Sequence, residues 1–288
     1  MTPEGPHFGQ AVRPADPITP EAVHTDYTPK VFGRRILYYD SVDSTNNTLR
    51  RAASRGEPEG TVVLANEQTA GRGRLNRTWV SPAGVGIYMS LLLRPQSGGI
   101  PLFLYTFLPA VATARALRRV SGLPVFIHWP NDLTLRGRKI AGILTDVRSG
   151  PNHPREVIIG IGINVNNMPG DLPPELQEIA TSLTIAAGRR YSRASIIQAL
   201  LEELERGYAL MKSGTSMDLV EAWRKLSPSH QGTPVEVVGG RGKNFRGITR
   251  GIDHDGALLI EAAHGGVERI AFGEIRRIRG GLQHAPGS

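Results

Sequence analysis

Apolar and polar positions along this chain follow two rhythms, and the change from one to the other divides it. Residues 35–40 and 61–65 form short β-branched and aromatic runs, and Ile87 to Leu93 a longer one; each predicts a strand. Ser44 can cap a helix that carries Leu49, Ala52 and Ala53 and stops at Gly56. Leu104, Leu108, Val111 and Leu117 recur at helical spacing and predict a buried helix over 102–120. Further strands are expected at 125–128, 139–147 and 157–165. Ile196, Ile197, Leu200, Leu201, Leu204, Tyr208 and Met211 form one stripe, bounded by Ser192 and Gly214, and a short helix follows at 219–226. After Ser227-Pro228-Ser229 the runs shorten. Residues 234–238, 245–252, 257–261 and 267–272 read as strands separated by glycine-rich or polar turns, a small β-barrel of about 55 residues. Residues 1–33 hold Pro3, Pro6, Pro14, Pro17, Pro20 and Pro29 with little periodicity and read as a flexible or extended arm. The expected organisation is an arm over 1–33, an α/β (α+β) domain over 34–228 and a small β-domain over 229–288.

Composition narrows the chemistry. Cysteine is absent, which excludes disulfides and thiolate catalysis. No apolar run approaches the roughly 20 residues that cross a bilayer, and no apolar signal core precedes the arm, so a cytoplasmic protein with no membrane partner is expected. The net charge is +8, which fits a nucleic-acid binder or an enzyme that binds a nucleotide and docks an acidic partner. Arginine supplies most of that charge. Lysine stands only at 30, 139, 212, 225 and 243, so a lysine inside a motif is notable. The histidines have no metal-ligand spacing, and no structural metal is expected; His128 reads as a half-buried strand residue.

The chemistry concentrates in Gly71-Arg72-Gly73-Arg74, followed by Arg77 and Trp79. Two glycines let backbone N–H groups converge on an anion, and arginine forks match carboxylate or phosphate oxygens. Trp79 offers a flat apolar face. Around this loop stand Asp43-Ser44-Thr45-Asn46, Glu67-Gln68-Thr69-Ala70, His128-Trp129-Pro130-Asn131-Asp132, Arg138-Lys139-Ile140-Ala141-Gly142-Ile143 and Gly160-Ile161-Gly162-Ile163-Asn164. In this order the motifs resemble those of bacterial biotin–protein ligases, and the resemblance covers residues 34 to 280.

The resemblance implies a catalytic domain with a mixed sheet flanked by helices, closed by an SH3-like barrel. It implies a biotin–[acetyl-CoA-carboxylase] ligase that activates biotin with ATP and Mg²⁺ as biotinyl-5′-AMP. The acyl group then passes to one lysine of a biotin carboxyl carrier protein. Lys139, Arg72 and Arg74 would be catalytic. Ser44, Thr45, Asn46, Gln68, Gly71, Gly73, Gly160 and Gly162 would join them around biotin. Ser44 could equally serve as a helix cap, and the two later glycines could merely relieve strand packing. Arg74, Arg77, Trp79, Asn131, Asp132 and Asn164 would face the nucleotide, with a turn-forming role for Asp132 as the alternative. Leu75-Asn76 departs from the glycine and basic residue common at these positions, which bears on loop mobility. The arm is too short and proline-rich for the helix-turn-helix domain of the repressor forms, so no specific DNA is expected as a partner; the family allows a homodimer. A lipoate or octanoate transferase shares the fold and is the nearest alternative. A basic nucleic-acid-binding protein is the alternative of another class; it would need interleaved aromatics on the barrel strands, where only Phe245 and Phe272 appear.

Overall fold

A computed structural model describes residues 16–25, 27–95, 100–150, 153–240, 243–263, 265–271 and 274–277. Its first layer is a seven-stranded mixed sheet in the order β1-β2-β3-β7-β6-β5-β4. The strands are β1 (Ile36–Val42), β2 (Val62–Gln68), β3 (Gly86–Leu93), β4 (Val125–His128), β5 (Asp132–Leu135), β6 (Arg138–Gly150) and β7 (His153–Asn164). Only β1 and β2 run parallel, joined across helix α2 (Thr45–Ala53), which follows the short α1 (Pro20–His24). The remaining helices are α3 (Leu104–Ser121), α4 (Pro174–Gln177), α5 (Leu183–Ala187), α6 (Arg193–Lys212) and α7 (Ser216–Leu226). A second, antiparallel sheet in the order β11-β10-β9-β8-β12 matches the SH3-like expectation. It contains β8 (Gln231–Gly240), β9 (Lys243–Ile252), β10 (Leu258–Ala262), β11 (Val267–Ile270) and β12 (Glu274–Arg277).

Strand periodicity decides which face of the large sheet carries the core. Val62, Leu64, Leu91, Leu93, Ile159, Ile161 and Ile163 bury against α3 and α6. Their neighbours Val63, Leu92 and Ile158 point the other way and meet Leu49 and Ala53 of α2. That second cluster is small, so α2 covers only part of the second face. Beyond Ile158, β7 continues on this face with Gly160, Gly162 and Asn164, and the sheet is left bare. Behind it, Phe107 of α3 stacks on Trp223 of α7 at 4.4 Å.

Some elements carry no readable period. β5 and β12 have four residues each, and α4 and α5 are one turn long. β12 is nearly all charged, and pairing with β8 alone makes it a strand. The second half of the arm differs most from expectation. Ile18, Val23, Tyr27 and Phe32 are buried, and the Asp16 carboxylate meets the buried Arg193 guanidinium at 3.0 Å. Residues 1–15 and 26, on which the rest of the arm expectation falls, and residues 272–273 and 278–288 lie outside the described part.

One carboxylate oxygen secures this segment. Glu205 Oε1 accepts from the N–H groups of Lys30 and Val31 at 2.8 Å and of Phe32 at 3.1 Å, and from the Tyr27 hydroxyl at 3.1 Å. Burial, then the Glu205 charge, pushes the Tyr27 hydroxyl well above its ordinary range, so it stays a donor. Hydrogen bonds to a charged acceptor contribute about 1.5–3 kcal/mol each, and several share this one atom. Glu205→Ala is therefore expected to lower stability by about 2–3 kcal/mol, read as a lower urea midpoint. An unchanged midpoint would mean that docking of residues 16–33 contributes nothing to the fold.

Candidate active site

The bare part of the second face floors a cavity of about 1030 Å³. Its floor follows from strand period. In Gly160-Ile161-Gly162-Ile163-Asn164 the isoleucines face the helices, and the glycines leave the opposite side without side chains. Across the ladder Ser90 and Leu144 oppose Gly160, and Tyr88 and Gly142 oppose Gly162. The glycines are needed for space. A Cβ at Gly160 would lie 2.3 Å from Asn46 Oδ1, and one at Gly162 2.6 Å from Trp79 Nε1. Trp79 thus packs on Gly162 and Gly142, next to the side chains expected for biotin.

Helix α2 supplies the polar end. Gln68 Oε1 accepts from the Thr45 N–H at 2.9 Å and lies 3.2 Å from Thr45 Oγ1. Gln68 Nε2 donates to Ser81 Oγ at 2.8 Å. Ser90 Oγ stands 2.6 Å from Asn46 Oδ1 and 2.8 Å from Thr45 Oγ1. Ser44 is buried and precedes α2, yet its hydroxyl makes no capping bond; only its carbonyl takes the Thr48 N–H. The Ser44 side chain instead lines the cavity.

The charged end is built from the glycine loop and the β5–β6 turn. Residues 71–79 fold back as a tight hairpin: Arg72 pairs with Thr78, and the Trp79 N–H donates to Gly71 O at 2.9 Å. Gly71 allows this closure, because a Cβ there would stand 2.3 Å from Trp79 O. At the tip Leu75 and Asn76 have φ of 54° and 60°, a left-handed geometry that favours glycine. Arg74 Nη1 donates to Asn131 Oδ1 at 3.0 Å, and Arg72 Nη1 to Asn47 Oδ1 at 3.3 Å. The Arg77 side chain is exposed beside them. Lys139 Nζ stands 2.7 Å from Asp132 Oδ1 and 5.5 Å from the centre of the Trp79 ring. Its backbone is fixed by bonds to Ile179 O and from Thr181 N, both 2.8 Å.

Of the expected site residues all but Gly71 line this one cavity, with different exposure; Gly71 is buried at the base of the hairpin. Asn164 is buried and gives its amide to Thr181 O at 3.0 Å, which ties residues 165–181 to the sheet. That segment supplies an apolar wall of Leu172, Leu176 and Ile179. No sequence period announces it. Ser81, Ser90 and the pair Arg50–Asp146 also join the site without belonging to a motif. His128 is half-buried on β4 and faces Ile275 O of the small domain at 3.3 Å. Trp129 Nε1 donates to Gly256 O at 3.2 Å, so the small domain braces the Trp129–Asn131 segment. Among the described residues, the group with metal-ligand spacing is Asp253, His254 and Asp255; Arg269 engages both carboxylates, and Asp255 lines a second, smaller cavity with Arg72, Arg74 and Asn131.

The glycine floor gives a direct test. The chain has three tryptophans, of which Trp129 is 2% and Trp223 0% exposed, so quenchable fluorescence reports on Trp79. Gly162→Ala is expected to lift the indole and increase acrylamide quenching, with unchanged circular dichroism. Unchanged quenching would mean the strand absorbs the methyl group and the floor is not shape-limiting.

Known proteins share this architecture. The sequence pattern of the Biotin/lipoate A/B protein ligase family matches residues 38–164, and that of the Biotin protein ligase C terminal domain matches residues 230–277. The Bifunctional ligase/repressor BirA of Bacillus subtilis is 40% identical over 249 residues, which span 85% of this chain and 75% of that protein. The Biotin--[acetyl-CoA-carboxylase] ligase of Mycobacterium tuberculosis is 32% identical over 243 residues, 82% of this chain and 86% of that protein. The biotin protein ligase from Aquifex aeolicus in complex with biotin and ATP superposes with a TM-score of 0.73 at 27% identity, covering 85% of this chain and 99% of that one. The chain belongs to the biotin/lipoate A/B protein ligase family, and within it to the biotin protein ligases.

Proposed function

We propose that this cavity activates biotin with ATP and passes the acyl group to a lysine of a biotin carboxyl carrier protein. The observation that carries this reading is the position of Lys139. It lies between a neutral amide and hydroxyl pocket on one side and an arginine loop on the other. The ureido ring of biotin presents one carbonyl and two N–H groups, and Ser44, Thr45, Asn46 and Gln68 offer matching acceptors and donors. The Trp79 ring, packed on Gly162, offers an apolar wall against which the folded bicycle of biotin can lie. A lipoyl group ends in an apolar dithiolane and has no use for that polar end. The valeryl chain then directs its carboxylate toward Lys139.

A carboxylate oxygen attacks the α-phosphorus of ATP. The bond from that phosphorus to the bridging oxygen breaks, and pyrophosphate leaves. Charge builds on phosphoryl oxygens, where the Arg72, Arg74 and Lys139 cations stabilise it. Lysine is suited to this place because a compact charge can follow the carboxylate as it joins phosphorus. Leu172, Leu176 and Ile179 offer the apolar wall a purine ring needs, with Asn131 and Asn164 at its edges. ATP enters as its Mg²⁺ complex. Asp132 is the one carboxylate among the described residues lining the cavity, and Lys139 engages it at 2.7 Å; Mg²⁺ would enter bound to the ATP phosphates. In the second step the carrier amine attacks the acyl carbon, the bond to the phosphate oxygen breaks, AMP leaves and the nitrogen gives up a proton. The natural partner would be the carrier domain of acetyl-CoA carboxylase or a related carboxylase. Among the described residues no helix is long and apolar enough to cross a membrane.

Incubation with ATP, Mg²⁺, biotin and an apo carrier domain tests the reading by intact mass. One biotinyl addition that requires ATP is expected, and a lipoyl or octanoyl addition instead would refute it. Lys139→Ala should keep its circular dichroism and lose at least a hundredfold in biotin-dependent pyrophosphate release, on the scale of lost oxyanion donors. Near-normal release would return Lys139 to an ordinary surface turn.

A further inference from the structure

Outside the motifs, one set of side chains links the two ends of the cavity. On the first turn of α2, Asn46 and Asn47 point to opposite sides, and a carboxylate orients each amide. Asp146 Oδ2 accepts from Asn46 Nδ2 at 3.3 Å, and Asp43 Oδ2 accepts from Asn47 Nδ2 at 3.0 Å. An ionised carboxylate only accepts, so it fixes which amide atom faces it. Hydrogen bonds from Arg51, with further ones from Asn47 and the Ser44 backbone, hold Asp43 well below the usual carboxylate range, so it remains ionised. Both amide oxygens then face the site. Asn46 Oδ1 meets Ser90, and Asn47 Oδ1 accepts Arg72 Nη1 of the glycine loop at 3.3 Å.

Arg50 joins the two halves. Its Nη1 donates to Asn47 Oδ1 at 2.8 Å and its Nη2 to Asp146 Oδ2 at 2.8 Å. The path runs without a break from Arg72 through Asn47, Arg50 and Asp146 to Asn46, and on through Ser90 and Thr45 to Gln68. As a mere surface ion pair Arg50–Asp146 would matter little, since its side chains are 31% and 28% exposed. Its acceptor oxygen, however, also bonds an asparagine that is 3% exposed and rests against Gly160.

We propose that Asn47, Arg50 and Asp146 are positioning residues that couple occupation of the biotin pocket to the hold on Arg72, so that the bicycle end of the ligand helps close the loop over the acyl-phosphate end. This rests on the biotin reading given above. A ligand group that bonds Asn46 draws on the same carboxylate that holds Arg50, and Arg50 shares the Asn47 oxygen with Arg72. The loop and the pocket therefore cannot rearrange independently. None of the three residues touches the reacting atoms, so the effect falls on affinity and on retention of the intermediate more than on chemistry.

The test uses full-length wild type, Asn47→Ala, Arg72→Ala and the double variant, with Arg50→Met as a second break in the path. Asn47 is half-buried on a helix turn, where alanine keeps the fold. Biotin KM, kcat for pyrophosphate release and the release rate of preformed biotinyl-5′-adenylate are measured. Wild type must first form adenylate, and its failure would sink the biotin reading rather than this inference. Given that activity, Asn47→Ala is expected to raise biotin KM and adenylate release three- to tenfold with kcat within twofold. The effects of Asn47→Ala and Arg72→Ala on release should be less than multiplicative in the double variant, because both cut one path. Asp146→Asn, which keeps an acceptor oxygen, should retain most of the wild-type KM. Multiplicative effects, or wild-type KM and release in Asn47→Ala and Arg50→Met, would reduce the path to a structural ornament of α2 and overturn the inference.

Discussion

A strip of strand without side chains governs this active site. Close packing normally covers both faces of a sheet. Here β7 spends its isoleucines on the helical side and presents Gly160 and Gly162 on the other. The space is shared by Asn46 from α2 and Trp79 from the glycine loop, each within 3 Å of where a Cβ would stand. A side chain at Gly160 would displace Asn46, and one at Gly162 would displace Trp79. The polar pocket, the indole wall and the position of Lys139 beside that wall all follow from this one absence.

The same geometry answers an electrostatic problem. Arg72, Arg74 and Lys139 line one cavity, and like charges at such range repel. Polar neighbours hold them apart and oriented: Asn47 takes Arg72, Asn131 takes Arg74, and Asp132 takes Lys139. Two of these partners are neutral amides, which orient the guanidinium groups without adding a charge of their own. The small domain contributes from outside by clamping Trp129, the residue two before Asn131.

The sequence made the strands and long helices of the sheet legible because their burial is periodic; Ile196 to Met211 emerges as one buried face of α6. Gly160-Ile161-Gly162-Ile163-Asn164 was readable as a strand, and its alternation already separates the two faces. Ser44 illustrates the limit of local rules: its position suggests a cap, while its hydroxyl is left to the cavity. Arg50 and Asp146 stand 96 residues apart, and no local pattern relates them. Likewise Ile18, Val23, Tyr27 and Phe32 are too widely spaced among prolines to show a period, and only the fold brings Glu205 to them. The apolar wall at 172–179 has the same cause, a short irregular segment placed by tertiary bonds to Asn164 and Lys139.

Closure over an anionic intermediate is the central event at this site. A two-stranded hairpin such as 71–79 is marginal in water on its own, and ordering it costs roughly 1–2 kcal/mol of backbone entropy per residue. Its tip is the most exposed part, with Leu75 70% exposed. Amide hydrogen exchange across residues 71–79, with and without biotin and ATP, reads this directly. Fast exchange is expected in the free protein and strong protection once the acyl phosphate is present. Equal protection in both states would contradict it, because the loop would then be preformed and the anion would not be what closes the site.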